Sequence, residues 1–210
     1  MNKYKIVSLV LAVALIATLA RLVYTTNVAV PVGTDAKQAV LDNIYARKSV
    51  RSYSDRPVSR AQLDTLVRTA MAAPTGRDMR PWRFVVIDDS VTLDSLSARL
   101  PRAKMLKEAK AAIVVCGDMS VTDDKGKPSN AWMLDCSAAT ENLLLAAEAM
   151  GLGAVWTGAY PYDDRIAAIR AAVGLPDHII PLSLVPIGYP KGNPQPKDKF
   201  DQNNVHYNTW

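Results

Sequence analysis

AAIVVCGDM, residues 111–119, is an apolar run that ends at a glycine and an acid. Its β-branched residues favour a strand, and the lack of polar alternation is typical of a strand covered on both faces. Such a sheet needs helices on each side. The stretch therefore predicts a layered protein with a buried sheet at its centre.

Amphipathic helices and further strands lie on either side of this stretch. A helix follows Ser59, a good N-cap, and a longer one is predicted from Ala131 to Met150. The other predicted elements are helices at 35–47, 90–99 and 163–173 and strands at 82–89, 154–156 and 179–190. The apolar face of the first helix is predicted to consist of Ala36, Ala39, Val40 and Ile44. Helices and strands do not alternate regularly, which favours an α+β fold over a doubly wound α/β fold.

The first 26 residues carry three bases, Lys3, Lys5 and Arg21, and no acid. The uncharged residues 6–20 follow the two lysines and end in small residues, which is the arrangement of a secretory signal peptide. The run is short for a bilayer span, which needs about 20 residues. A cleaved signal, an uncleaved anchor that associates with the membrane through residues 6–24, and a buried helix all remain open.

Both export hypotheses place the C-terminal domain outside the cytoplasm, in the periplasm or anchored to the inner membrane, because the lysines stay inside. The predicted organisation is a signal peptide or membrane anchor over 1–26, a linker over 27–37 and one domain over 38–210. Three of the 25 bases lie within residues 1–26, so residues 27–210 carry 22 bases and 20 acids. No basic stripe is present, so nucleic acid is not an expected partner.

Few of the residue patterns that mark enzymes are present. The sequence has no GxSxG, HExxH, Walker or GxGxxG motif and no Cys/His set with zinc spacing, so no metal site is predicted. His178 and His206 are expected on the surface. Cys116 and Cys136 are expected to be buried free thiols, although an exported protein could pair them. If the chain is an enzyme, a bound cofactor is expected to supply the reactive chemistry.

Three cations and three hydroxyls are concentrated in ARKSVRSY, residues 46–53. If the backbone is extended there, Arg47, Ser49 and Arg51 alternate onto one side. Two guanidiniums and a hydroxyl fit a phosphate, because arginine donates bidentate charge-assisted hydrogen bonds. Taken alone, the pattern favours a solvated face over a phosphate site.

A second stretch, AAPTGRDMRPWRF (72–84), joins a helix to a strand through small residues that let the backbone approach a flat ligand. Together the two stretches resemble motifs of the nitroreductase family of FMN-dependent oxidoreductases. The family's Arg-basic-Ser-x-Arg cluster is matched by Arg47, Lys48, Ser49 and Arg51. Its Ala-Pro-Ser-x-x-Asn-x-Gln-Pro-Trp motif is similar to residues 73–82. DCSAATENLLLAAEAMGLGAVWTG (135–158) and PKDKFDQNNVHYNTW (196–210) resemble two further blocks, in the same order.

The resemblance implies a three-layer α+β fold with a central mixed β-sheet wrapped by helices. It implies a homodimer with FMN at the interface and an extended C-terminal tail, containing Tyr207 and Trp210, that embraces the partner. The implied activity is two-electron (hydride) reduction of nitroaromatic, quinone or similar acceptors in a ping-pong flavin cycle, with NAD(P)H or another electron donor. The alternatives are reductive dehalogenation or dehydrogenation on the same scaffold, and an exported flavin-binding protein without catalysis.

The resemblance also implies which residues bind FMN, and it assigns no catalytic side chain because flavin N5 carries the hydride. The phosphate and ribityl chain are assigned to Arg47, Lys48, Ser49, Arg51, Lys197 and Lys199. The flavin ring is assigned to Pro74, Thr75 and Gly76 of the other subunit and to Trp156, Thr157 and Gly158. The family's Asn is Asp78 here and its Gln is Arg80. These two charges, also assigned to the flavin site, are expected to shift the flavin potential or to cancel in a salt bridge.

Overall fold

The computed structural model describes Asn2 and residues 34–210. One compact unit ends at Asp42 and the other spans Asn43–Trp210. The predicted signal peptide or membrane anchor lies outside the described residues except for Asn2. So does the predicted linker except for residues 34–37, which are helical. Within the described part, no helix is long and apolar enough to cross a membrane.

Helices and strands are both abundant between residues 34 and 210, which confirms the α+β class. The helices are α1 (Thr34–Ala46), α2 (Arg60–Ala70), α3 (Ser90–Arg99), α4 (Trp132–Ala149) and α5 (Asp163–Val173). The strands are β1 (Trp82–Ile87), β2 (Ala111–Asp118), β3 (Gly153–Ala154), β4 (Thr157–Gly158) and β5 (Ile179–Gly188). Short 3-10 helices span Gly76–Asp78, Lys104–Lys107 and Gln202–Asn204.

Local sequence explains where several helices begin and end. The Ser59 side chain accepts a hydrogen bond from the Gln62 N–H, and the Gln62 side chain accepts one from the Ser59 N–H, which forms a capping box before α2. The Asp89 carboxylate caps α3 in a similar way. α5 ends at Gly174, whose φ of 67° is a left-handed conformation that glycine adopts without strain.

The strands form one sheet in the order β1-β2-β5-β3, with β4 also paired to β5. All of these strand pairs are antiparallel. Within the described residues, the parallel component expected of a mixed sheet is confined to a single bridge between Ser49 and Ala154. β1 lies at one edge of the sheet.

Helices cover both faces of the sheet, as the apolar run in β2 predicted. Ile113 and Val115 are fully buried in a cluster that includes residues of α2 and α4. Val114 and Cys116 are fully buried in a second cluster with residues of α3 and α5. Successive side chains of a strand point to opposite faces, so β2 contributes to both halves of the core. The three-layer arrangement is confirmed.

Two apolar surfaces lie outside this core. The face predicted for α1 is exposed, with Val40 61% and Ile44 46% accessible. In the C-terminal tail (residues 191–210), the aromatic side chains of Phe200, Tyr207 and Trp210 are exposed as well. Exposed apolar surfaces of this kind commonly mark sites that another chain covers.

Candidate functional site

Two buried side chains hold the basic segment (residues 46–53) against the sheet. Val50 is 2% exposed, and its N–H donates to a β3 carbonyl at 3.0 Å. Tyr53 is 3% exposed, and its hydroxyl donates to the Val50 carbonyl at 2.8 Å. Both side chains pack on glycines. A Cβ atom at Gly153 would lie 2.6 Å from Val50, and one at Gly188 would lie 2.8 Å from Tyr53. A side chain at either glycine would therefore displace the segment.

Two polar residues of the basic segment stay at the surface. Ser49 and Arg51 are exposed on either side of the buried Val50, which is the predicted alternation. Within the described residues, the Arg51 guanidinium takes part in no ion pair. Arg47 is less exposed and forms an ion pair with Glu141 of α4, with 3.2 Å between Nε and Oε1.

Acidic side chains fasten the segment at two further points. The Lys48 ammonium lies 2.6 Å from Glu148 Oε1 of α4, and both side chains are largely buried. Glu108 accepts hydrogen bonds from the Tyr53 N–H at 3.0 Å and from the Ser52 hydroxyl at 2.9 Å, and these bonds lower the pKa of Glu108. Lys48 is thus paired with an acid of its own chain, whereas Arg51 is not.

Arg47 and the two lysines predicted to join it surround one cavity of about 520 Å³. Lys197 and Lys199 approach from the tail, and neither forms an ion pair within residues 34–210. The rest of the wall is formed by Ile44, Tyr45, Pro196, Asp198 and Phe200. Ser49 and Arg51 do not line this cavity. The predicted convergence with Lys199 is therefore found for Arg47 but not for the other two residues.

The 74–80 loop carries the second group of predicted residues. Pro74 and Gly76 are exposed and Thr75 is half-buried. Arg77, Asp78 and Arg80 have φ angles of 54°, 55° and 51°. Few non-glycine residues adopt positive φ, and such conformations persist only where the surrounding contacts impose them.

The two charged departures from the family motif neutralise each other. The Arg80 guanidinium donates two hydrogen bonds to the Asp78 carboxylate, at 2.6 and 2.5 Å. The hydrogen bond from Arg80 lowers the pKa of Asp78. The salt-bridge hypothesis is confirmed, so this position carries little net charge.

Asp135 also contacts the 74–80 loop, although it was not among the predicted site residues. It lies in the first turn of α4, is 5% exposed, and its Oδ1 accepts the Gly76 N–H at 2.9 Å. The signal in the sequence is an acid on the apolar face of the helix, one turn before Ala139, because a buried carboxylate needs a donor. Its partner lies 59 positions away, so spacing alone could not identify it.

The third group, Trp156–Gly158, includes the short strand β4. Gly158 lies opposite Ser183 of β5, and its carbonyl accepts a hydrogen bond from the Arg165 guanidinium at 2.9 Å. Thr157 and Gly158 line a cavity of about 140 Å³. Gly76 and Arg80 line two other cavities, of about 210 and 620 Å³ respectively. In one chain the predicted site residues therefore form separate groups.

The two cysteines are buried and free, as predicted. The Cys136 thiol lies 3.4 Å from the Cys116 carbonyl oxygen. Burial raises the pKa of each thiol to about 12. Both groups are therefore protonated at neutral pH and act as small apolar side chains.

Sequence and fold comparisons agree about the class of protein. Residues 44–100 and 91–189 match the nitroreductase family. A Methanothermobacter thermautotrophicus protein named as an NADH dehydrogenase/NAD(P)H nitroreductase is 42% identical over 178 residues, which cover 85% of this chain and 91% of that protein.

Solved structures extend the likeness to the fold. A protein from Parabacteroides distasonis with the same kind of name is 53% identical, with a TM-score of 0.77 over 81% of this chain and 98% of the other. A nitroreductase from Desulfovibrio desulfuricans in complex with FMN is 28% identical, with a TM-score of 0.69 over 81% of this chain and 97% of the other. The chain belongs to the nitroreductase family.

Proposed function

We propose that this protein is an FMN-dependent oxidoreductase that transfers two electrons from NAD(P)H, or another donor, to a nitroaromatic, quinone or related acceptor in a ping-pong cycle. The family supports the class of reaction. Relatives are named as NAD(P)H nitroreductases and FMN reductases, and one solved relative is in complex with FMN. The observation that carries the proposal is the convergence of Arg47, Lys197 and Lys199 on one cavity.

The residues of this cavity fit the phosphate of FMN. Three cations face a space of about 520 Å³, and within residues 34–210 the two lysines have no acidic partner. Arg47 is aligned by Glu141 at 3.2 Å, which orients the guanidinium before a ligand arrives. A dianionic phosphate would supply the counter-charge that the two lysines lack.

Each group of residues has a distinct part in holding the cofactor. Arg47, Lys197 and Lys199 would bind the phosphate, whereas Ser49 and Arg51 are exposed but do not line this cavity. Lys48 would act indirectly, because its ion pair with Glu148 fastens the segment to α4. Bound FMN would supply the two-electron chemistry that none of these side chains provides.

The flavin ring would contact the two remaining groups. A backbone N–H group near the ring would favour negative charge on the reduced flavin, since fixed dipoles need no reorganisation. In the Asp78–Arg80 salt bridge these two charges largely cancel, and Arg77 of the same loop lies 3.7 Å from Asp123. We expect this pair to shift the flavin potential less than either charge would alone.

A homodimer would bring the separate groups together. The proposal is supported by the exposed Ile44 and Tyr45 of α1, by the exposed aromatic side chains of the tail, and by the position of β1 at the edge of the sheet. The tail of a second copy is the occupant we propose for the groove beside β1, of about 620 Å³, lined by Trp82 and Phe84. Removing residues 194–210 is then expected to give a monomer in sedimentation experiments.

The location of the domain is also a proposal. The bases and the apolar run within residues 1–26 support export, with the domain in the periplasm or anchored to the inner membrane. NAD(P)H is expected to be scarce there, so a membrane-associated donor is a part of this hypothesis. Full-length protein found only in the cytosolic fraction would contradict it.

The central test is anaerobic reduction of purified protein that has been reconstituted with FMN. We expect a yellow protein whose flavin absorbance bleaches on addition of NADH or NADPH and returns when a quinone or nitroaromatic compound is added. Bleaching by dithionite but by neither nucleotide would retain the flavoprotein and reject NAD(P)H as the donor. A protein that stays colourless after incubation with FMN would overturn the proposal.

A further inference from the structure

The 74–80 loop combines backbone strain with few contacts. Arg77, Asp78 and Arg80 all have positive φ, and the Asp78–Arg80 salt bridge is exposed and internal to the loop. The hydrogen bond from the Arg80 N–H to Thr75 Oγ1 also lies within the loop and is long, at 3.3 Å. These local contacts do not fix the loop relative to the rest of the molecule.

The exposed Arg77 guanidinium, 3.7 Å from Asp123, is only a weak tie to the neighbouring loop, so the contact between Gly76 and Asp135 does most to fix it. Asp135 Oδ1 accepts the Gly76 N–H at 2.9 Å, and the carboxylate stands on α4, an 18-residue helix with a largely buried face. A hydrogen bond shielded from water is electrostatically stronger than one in water, and a donor that loses its acceptor is costly. A rigid helix therefore sets the position of a strained loop through one buried side chain.

The second oxygen of the same carboxylate points to a role beyond packing. Within the described residues, Asp135 Oδ2 is buried without a hydrogen-bond partner. Such an atom costs stability, because burial removes its water and returns no donor. A leucine of similar size would remove this cost and would fill the space, so stability alone does not account for an aspartate here.

We infer that Asp135 is a positioning residue that holds the 74–80 loop in the conformation that binds FMN. The inference rests on the proposed function, since that function assigns the loop to the flavin. Asp135 itself acts through Gly76 and is not expected to touch the cofactor. A neutral acceptor at the same place retains this action, whereas an apolar side chain abolishes it.

The test compares three variants of the full chain. Asp135→Leu removes the acceptor, and Asp135→Asn keeps a carbonyl oxygen that can accept the Gly76 N–H. Thr140→Val is the matched control, because Thr140 is a fully buried polar residue of α4 that bonds to Ser183 and does not contact the loop. Each variant is measured for FMN dissociation constant, for thermal midpoint without FMN, and for amide hydrogen exchange of residues 74–80 without FMN.

We expect Asp135→Leu to raise the FMN dissociation constant by at least about tenfold, the effect of one lost hydrogen bond whose donor keeps no acceptor, and to speed exchange in the loop. Its thermal midpoint should fall no further than that of Thr140→Val. Asp135→Asn should stay within about threefold of the unmodified protein in FMN affinity, since the acceptor is retained.

Three results would overturn the inference. The first is unchanged amide exchange of the loop in Asp135→Leu. The second is a loss of FMN affinity in Thr140→Val equal to that in Asp135→Leu. The third is a loss of FMN affinity in Asp135→Asn as large as that in Asp135→Leu. If the unmodified protein binds no FMN, the proposed function fails. The exchange experiment without FMN still decides whether Asp135 positions the loop.

Discussion

The basic segment and the 74–80 loop are both assigned to the cofactor, but they are held in different ways. The segment is fixed by the buried side chains of Val50 and Tyr53, by pairing with the sheet, and by three acids. The loop has positive φ at three residues and is held from outside by Asp135. The first arrangement spreads its stability over many contacts, and the second rests on one hydrogen bond to a buried carboxylate and one exposed ion pair, Arg77 with Asp123. We therefore expect a single substitution to displace the loop more readily than the segment.

The largest expected effect is on the segment's packing. Tyr53→Ala removes a buried ring and both hydroxyl contacts, and it should lower the free energy of unfolding by about 3–5 kcal/mol. Tyr53→Phe keeps the ring and should cost only about 1–2 kcal/mol. Urea denaturation measures both. Equal losses in the two variants would show that hydrogen bonding, and not packing, fixes the segment.

The second-largest expected effect is on FMN affinity, with the fold unchanged. Arg47→Ala should weaken FMN binding roughly 10- to 100-fold, because a charge-assisted contact contributes about 1.5–3 kcal/mol. Far-ultraviolet circular dichroism should be unchanged. Lys48→Met is the matched control, since Lys48 is paired with Glu148 and is expected to affect stability more than affinity. A Lys48→Met protein that loses as much FMN affinity as Arg47→Ala would place both cations at the phosphate.

A smaller effect is expected within the loop. Asp78→Asn and Arg80→Gln each break an exposed salt bridge, which contributes little to stability. Asp78→Asn should raise the flavin potential by leaving a positive charge, Arg80→Gln should lower it, and the double variant should lie between them. Spectroelectrochemical titration measures all three proteins. Shifts of the same sign in the two single variants would contradict the electrostatic argument.

The smallest effect is on the acid sensitivity of the segment. Hydrogen bonds from Tyr53 and Ser52 lower the pKa of Glu108 from its ordinary value of 4.5. Because the pKa is lower in the folded than in the unfolded protein, this contact stabilises above pH 4.5 and is lost as pH falls through the lowered value. The protection of the Tyr53 N–H against hydrogen exchange should therefore fall below that pH, and it should fall by less in Glu108→Gln than in the unmodified protein. Identical pH profiles in the two proteins would exclude Glu108 as the cause.

Much of the fold could be predicted because local signals determine it. Ser59 and Gln62 specify the start of α2, Gly174 specifies the end of α5, and the apolar run in β2 requires helices on both faces. The exposed face of α1 could not be anticipated from its period, since periodicity identifies an apolar face but not the chain that covers it. The antiparallel pairing of the strands is likewise a tertiary property.

The candidate site also combines features that local sequence predicts with features that it does not. The extended backbone of the basic segment follows from alternation around Val50, and the approach of Lys199 to Arg47 was expected only from the family resemblance. The ion pair of Lys48 with Glu148 and the hydrogen bond of Gly76 to Asp135 join residues 100 and 59 positions apart. Neither has a local signature, because the two partners belong to different elements until the chain folds.

The acids of α4 have a geometric consequence. Asp135 bonds to the loop, and Glu141 and Glu148 pair with Arg47 and Lys48, so three acids of one helix contact both groups. The first and last of these acids are 13 positions apart, which sets them about 20 Å apart along the helix axis. Deleting one residue between Asp135 and Glu141 would turn the acids by about 100° relative to each other and shorten that span by about 1.5 Å. The spacing of the three acids along α4 thus fixes how the two groups lie relative to each other. Insertions and deletions in α4 should therefore be tolerated far less well than substitutions on its exposed face.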